Sequence, residues 1–132
     1  MRVLALDHGA VRTGVAVSDE TGTVVRPVGV VQGVDGEAGL AELLTLIGSE
    51  GAGLVVVGLP VSLDGREHAQ AKRARAFAAR LTKAVDVPVR LYDERFTTKL
   101  ADRRGGCAAR DARAAATLLE DYLRYAGEQL RR

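Results

Sequence analysis

The chain has 132 residues, 47% of them hydrophobic, with no tryptophan and a formal net charge of +2. That suffices for one aliphatic core in a single domain over residues 1–132, and so small a charge does not by itself indicate nucleic acid. The single cysteine, Cys107, excludes an internal disulfide and a cysteine-cluster zinc site. No stretch reaches the ~18–20 apolar residues of a membrane span, and the first apolar run is too short for a signal peptide, so a cytoplasmic protein with no membrane partner is expected.

Residues 3–6 form an apolar run that stops at Asp7, the pattern of a central strand buried on both faces. A second strand is expected over 14–18, and Asp19-Glu20-Thr21-Gly22 reads as a hairpin turn. Residues 24–31 make a third strand, which Pro27 and Gly29 mark as an edge. Leu40, Leu43, Leu44 and Ile47 have helical spacing, with Asp35 as the expected N-cap and Gly51 and Gly53 past the end. Residues 54–57 are a second continuous apolar run, ending in Gly58-Leu59-Pro60, and read as a buried parallel strand. A long helix is expected over 66–84, with Ala74, Phe77, Ala78 and Leu81 inward. A strand over 87–92 runs into Asp93-Glu94-Arg95. A short helix is expected within 97–104, and Gly105-Gly106 break the chain. The last helix is expected to start near Asp111 and to bury Ala115, Leu118, Leu119, Tyr122 and Leu123. Three strands, then helix, strand, helix, strand and helix, suit an antiparallel meander followed by right-handed crossovers. The result is a three-layer α/β architecture of ribonuclease-H-like type.

In an open α/β sheet, ligands collect at the carboxyl ends of the strands. Asp7 and Glu94 lie at such ends, and Asp111 sits where a helix packed across the sheet begins. Each has a plainer reading: Asp7 as a loop cap, Glu94 as an ion pair with Arg95, and Asp111 as an N-cap. Together they form a candidate catalytic and metal-binding trio. Converging carboxylates need cations to hold them, and hard oxygen ligands favour Mg²⁺ or Mn²⁺. A two-metal site of this kind can activate a water and stabilise the leaving oxygen of a phosphodiester. Gly9, Arg12 and Gly14 let backbone approach a phosphate closely, and Thr97 and Thr98 offer hydroxyls beside Glu94 and Arg95. Lys72, Arg73, Arg75, Arg80 and Lys83 give the long helix a basic side that suits a nucleic-acid backbone. The candidate nucleic-acid contacts are therefore Arg12, Lys72, Arg73, Arg75, Arg95, Thr97 and Thr98. His8 and His68 provide too few ligands for zinc.

Four segments carry a resemblance. LALDHGAVRTGVAVSD at 4–19, VVVGLP at 55–60 with Asp64-Gly65 after it, YDERFTT at 92–98 and DARAAATLLEDYL at 111–123 span nearly the whole chain. In this order they resemble the RuvX/YqgF family of Holliday junction resolvases and pre-16S rRNA nucleases. The resemblance implies a ribonuclease-H-like fold with a mixed five-stranded sheet in the order 3-2-1-4-5, divalent-metal cleavage of phosphodiesters, and often a homodimer. It maps the family's acidic residues onto Asp7, Glu94 and Asp111, and its first-motif arginine onto Arg12. One departure stands out: only twelve residues separate Thr98 from Asp111, where relatives have a longer basic segment. The expected substrate is branched DNA or precursor rRNA. The alternatives are a non-catalytic RNA-binding module of the same fold, which would have no use for three carboxylates beside phosphate, and a sugar-kinase or actin-like ATPase, whose duplicated domain does not fit this length.

Overall fold

A computed structural model describes residues 1–60, 69–93 and 107–130, with side chains over 110–126 in the last of these segments. Its elements are β1 (Arg2–Asp7), β2 (Arg12–Ser18), β3 (Val25–Gln32), α1 (Glu37–Glu50), β4 (Ala52–Leu59), α2 (Ala69–Ala84), β5 (Val89–Asp93) and α3 (Cys107–Leu130). They make one five-stranded sheet in the order β3-β2-β1-β4-β5. The first three strands are antiparallel neighbours, and β4 runs parallel to β1 on one side and to β5 on the other. This is the expected sheet, with β3 at an edge as Pro27 and Gly29 indicated.

Strand alternation divides the core into two layers. Leu4, Leu6, Val15, Val17, Val55 and Val57 face α1 and α2, where they meet Leu43, Ile47, Phe77, Ala78 and Leu81. Val3, Ala5, Ala16, Leu54 and Val56 face α3 and meet Ala115, Leu118, Leu119 and Tyr122. The central strands read as unbroken apolar runs because both of their faces are covered.

Several boundaries move. β2 starts two residues earlier than expected, at Arg12, and β4 extends to Ala52 and Leu59 on either side of its apolar run. The turn after β2 forms as expected around the Asp19 carboxylate, which accepts from Thr21 Oγ1 (2.7 Å) and from the backbone N–H groups of Thr23 (2.9 Å) and Val24 (3.1 Å). These bonds hold the Asp19 carboxyl below its ordinary pKa, the Thr21 hydroxyl most strongly. Asp35 is not the N-cap of α1. Gly36 occupies that position in an extended conformation, with no side-chain cap, because the Asp35 carboxylate is engaged by His8 instead. α1 ends, as expected, on Gly51 in the left-handed region (φ 67°).

The last helix starts at Cys107, four residues ahead of the expectation, so Asp111 lies inside α3 rather than capping it. Ala108, Ala109 and Arg110 are strong helix formers and extend the helix upstream. The expected start of α2 at residue 66 and the short helix within 97–104 lie outside the described residues.

Candidate active site

β1 ends at Asp7, β4 at Leu59 and β5 at Asp93. The three strands are parallel, and Leu59 is level with Asp93, so their carboxyl ends share one edge of the sheet. β3 ends there too, since Gln32 pairs with Arg12 at the start of β2. α1 and α2 each follow one of these ends and therefore begin at this edge. α3 runs the same way: Asp111 packs at Gly14, which pairs with Asp7, whereas Leu123 lies by Gly22 in the far hairpin. Three helix N-termini with their positive ends thus lie along the edge where the strands end, a setting that attracts phosphate.

Asp7 is half-buried. Strand alternation places it with Val3 and Ala5 on the α3 face. Its cross-strand neighbour Gly14 is the reason that Asp111 comes close. A Cβ on Gly14 would overlap the backbone carbonyl of Asp111, so only glycine lets α3 lie directly on β2 at this level. The Asp111 carboxylate is held from the sheet side: Arg12 Nε donates to its Oδ2 at 2.9 Å, with both side chains partly exposed. The loop between β1 and β2 is equally tight, since a Cβ on Gly9 would overlap the Arg12 carbonyl.

Two members of the expected trio, Asp7 and Asp111, therefore reach the same edge and the same face from distant parts of the sequence. The third, Glu94, lies outside the described residues, as do Arg95, Thr97 and Thr98. Among the described residues no group of three His, Cys, Asp or Glu side chains gathers as a metal site. The donor set nevertheless fits a hard divalent cation in its chemistry, two carboxylates on one sheet face, although Arg12 competes for Asp111.

The basic residues of α2 belong to the helix layer on the other face of the sheet. Lys72, Arg73, Arg75, Arg80 and Lys83 are exposed, but α2 packs on the face opposite α3. Lys72 and Arg73 lie near the helix start at the site edge, while Lys83 is in its last turn, roughly 16 Å away along the axis. Arg80 donates to the Asp35 carbonyl at 2.6 Å and so pins the loop before α1.

His8, which sequence reasoning set aside, turns out to organise the other face of this edge. It is only 3% exposed and stacks on Phe77 with ring centroids 4.8 Å apart. Its Nε2 lies 3.1 Å from Asp35 Oδ1 and 3.3 Å from Oδ2. The contact ties the end of β1 to the loop leading into α1, directly behind Asp7. A histidine immediately after a candidate ligand was the available signal; its burial and its partner, distant in sequence, were not visible.

These features define a ribonuclease-H-like fold with an acidic strand-end site. Among solved structures, Thermus thermophilus RuvC matches with a TM-score of 0.57 at 18% identity, covering 96% of this chain and 97% of that one. The structure titled T. thermophilus RuvC in complex with Holliday junction substrate gives 0.55 at 18% identity, covering 95% and 96%; likeness at this identity speaks for the fold. A family model described as "RuvX: Holliday junction resolvase" matches residues 1–125. An Anaeromyxobacter sp. (strain Fw109-5) protein named "Putative pre-16S rRNA nuclease" is 42% identical, over 93% of this chain and 96% of its own length. One of the same name from Maridesulfovibrio salexigens is 36% identical, over 93% and 98%. The chain belongs to the RuvX family.

Proposed function

We propose that the protein is a divalent-metal-dependent endonuclease that hydrolyses phosphodiester bonds in structured nucleic acid, either Holliday junction DNA or the 5′ end of precursor 16S rRNA. One observation carries this reading. Asp7 and Asp111 are brought to one face at the carboxyl edge of the sheet by a contact that only glycine at position 14 permits. Nuclease relatives covering nearly their full length support the reaction class.

In this reading Asp7, Asp111 and Glu94 would hold Mg²⁺ or Mn²⁺ as a two-metal site, which would supply water activation and charge compensation on the phosphodiester. Asp7 would contribute its carboxylate from a rigid strand end, and Asp111 from α3. Arg12, Arg95, Thr97 and Thr98 contact the substrate backbone, with Lys72, Arg73 and Arg75 reaching it from the start of α2. The protein acts in the cytoplasm, and a homodimer would set two such sites for paired cuts in a junction.

A binding-only reading has one observation on its side: the Asp111 carboxylate is already paired with the Arg12 guanidinium. Cleavage decides between them. Wild type should cut a four-way junction or a precursor rRNA end in Mg²⁺ or Mn²⁺, and Asp7→Asn should lose at least two orders of magnitude while still binding. Unchanged cleavage by Asp7→Asn would sink the metal reading. Paired nicks in the junction with intact RNA would assign the DNA substrate, and the reverse pattern the RNA.

A further inference from the structure

Arg12 has a second task that its expected place on nucleic acid does not describe. Its guanidinium lies against Asp111, Nε to Oδ2 at 2.9 Å, and so gives that carboxylate the positive charge a cation would otherwise supply. A guanidinium is permanently charged and planar, and it matches phosphate as well as carboxylate. A divalent cation at Asp111 must therefore share its ligand with Arg12 against charge repulsion, or Arg12 must move to another anion.

The backbones of both residues are held in place. Gly14 packs against the Asp111 carbonyl, and Gly9 packs against that of Arg12. Any exchange of partner falls to the side chain of Arg12, which is 33% exposed at the open edge of the sheet.

Resting on the metal-dependent reading above, we propose that Arg12 is a substrate-responsive latch on Asp111. Without nucleic acid, Arg12 occupies the carboxylate and weakens cation binding. A substrate phosphate takes over the guanidinium and hands Asp111 to the cation. Nucleic acid and cation then bind cooperatively, and the coupling is reciprocal. The latch discourages the protein from holding a complete metal site before a phosphodiester is in place.

The sign of one measurement separates this from a purely structural role. Mn²⁺ binding to the full chain without nucleic acid, read by electron paramagnetic resonance of the free ion, should tighten about tenfold in Arg12→Gln. The gain should vanish in the double variant Arg12→Gln/Asp111→Asn. If Arg12 merely holds Asp111 in position, Arg12→Gln will bind Mn²⁺ more weakly or equally well, and the latch is overturned. The reciprocal arm uses the anisotropy of a labelled four-way junction, read while gels show it intact. Mn²⁺ should tighten wild-type binding about tenfold and that of Arg12→Gln less than twofold; equal tightening overturns the proposal. Circular dichroism melts confirm that each variant is folded. Mn²⁺ bound by wild type, lost in Asp7→Asn and unchanged in Arg12→Gln removes the latch alone. Mn²⁺ bound by neither wild type nor Arg12→Gln removes the metal reading and the latch with it.

Discussion

Gly14 does more to assemble the site than its lack of a side chain suggests. Its pairing with Asp7 is local to the β1–β2 meander, but its contact with the Asp111 carbonyl joins that meander to the last helix. Gly14→Ala places a Cβ against backbone, which cannot swing aside as a flexible side chain would. Overpacking of this kind costs about 1–3 kcal/mol, and relief requires α3 to lift off β2. Urea denaturation should show that loss, and cleavage should fall further than stability because Asp111 moves with the helix. Wild-type cleavage in a folded Gly14→Ala protein would mean that Asp111 need not sit so close. The position of Asp7 was legible in the sequence, since it ends an apolar run and a charge there calls for a compensating group. The links between residues were not. Arg12 with Asp111, and His8 with Asp35, are meetings between segments 99 and 27 residues apart, which no local pattern encodes. Asp35 shows the consequence: a good N-cap residue by type, it faces His8, and Gly36 takes the cap.

At the scale of elements, periodicity located every described strand and helix, because nearly all bury a face or both faces against a neighbour; the edge strand β5 buries no residue fully. It erred at ends, where propensity and long-range contacts compete; α3 outran its expected start through the Ala-rich turn ahead of Asp111. α1 offers a matched test of local against tertiary control. Gly48 lies in the helix with open space where a Cβ would go, whereas a Cβ on Gly39 would overlap the Gly33 carbonyl. Gly48→Ala should therefore stabilise the protein by about 0.5–1 kcal/mol, the gain of alanine over glycine in a helix. Gly39→Ala should destabilise it by about 1–3 kcal/mol. Thermal melts of the two variants should move in opposite directions, and a shared direction would contradict the packing of α1 on the loop before it. α2 gives a second contrast along one helix. Lys72 and Arg73 stand at the site edge and Lys83 at the far end. Lys72→Ala/Arg73→Ala should weaken nucleic-acid binding and flatten the dependence of log K on log salt by about 1.8 for duplex DNA, roughly 0.9 for each phosphate no longer neutralised. Lys83→Ala should leave that slope unchanged. Equal effects would mean that the substrate runs along the whole outer face of α2.

At the scale of the whole molecule, the described residues form two helical layers on one sheet, with the candidate site at the edge where both layers begin. Its architecture was readable because strand order, burial and element succession agree. The site's completion was less so, since it depends on where α3 crosses the sheet. On the proposed metal-dependent reading, that crossing also links metal binding to global stability. Asp7 belongs to β1 at the centre of the sheet, and Asp111 to a helix whose packing covers β1 and β2 on the opposite side from α1 and α2. A cation held by both carboxylates exists only in the folded arrangement, because unfolding separates them along the chain. Mn²⁺ at about a hundred times its dissociation constant should then add about 2.7 kcal/mol of stability, a rise in melting temperature on the order of 10 °C. EDTA should abolish the rise, and Asp7→Asn should melt at the same temperature with or without Mn²⁺. Arg12→Gln should reach the full rise at a lower Mn²⁺ concentration than wild type, since its Asp111 is unlatched. A melting temperature that responds to Mn²⁺ identically in wild type and Asp7→Asn would locate the bound ion away from the end of β1.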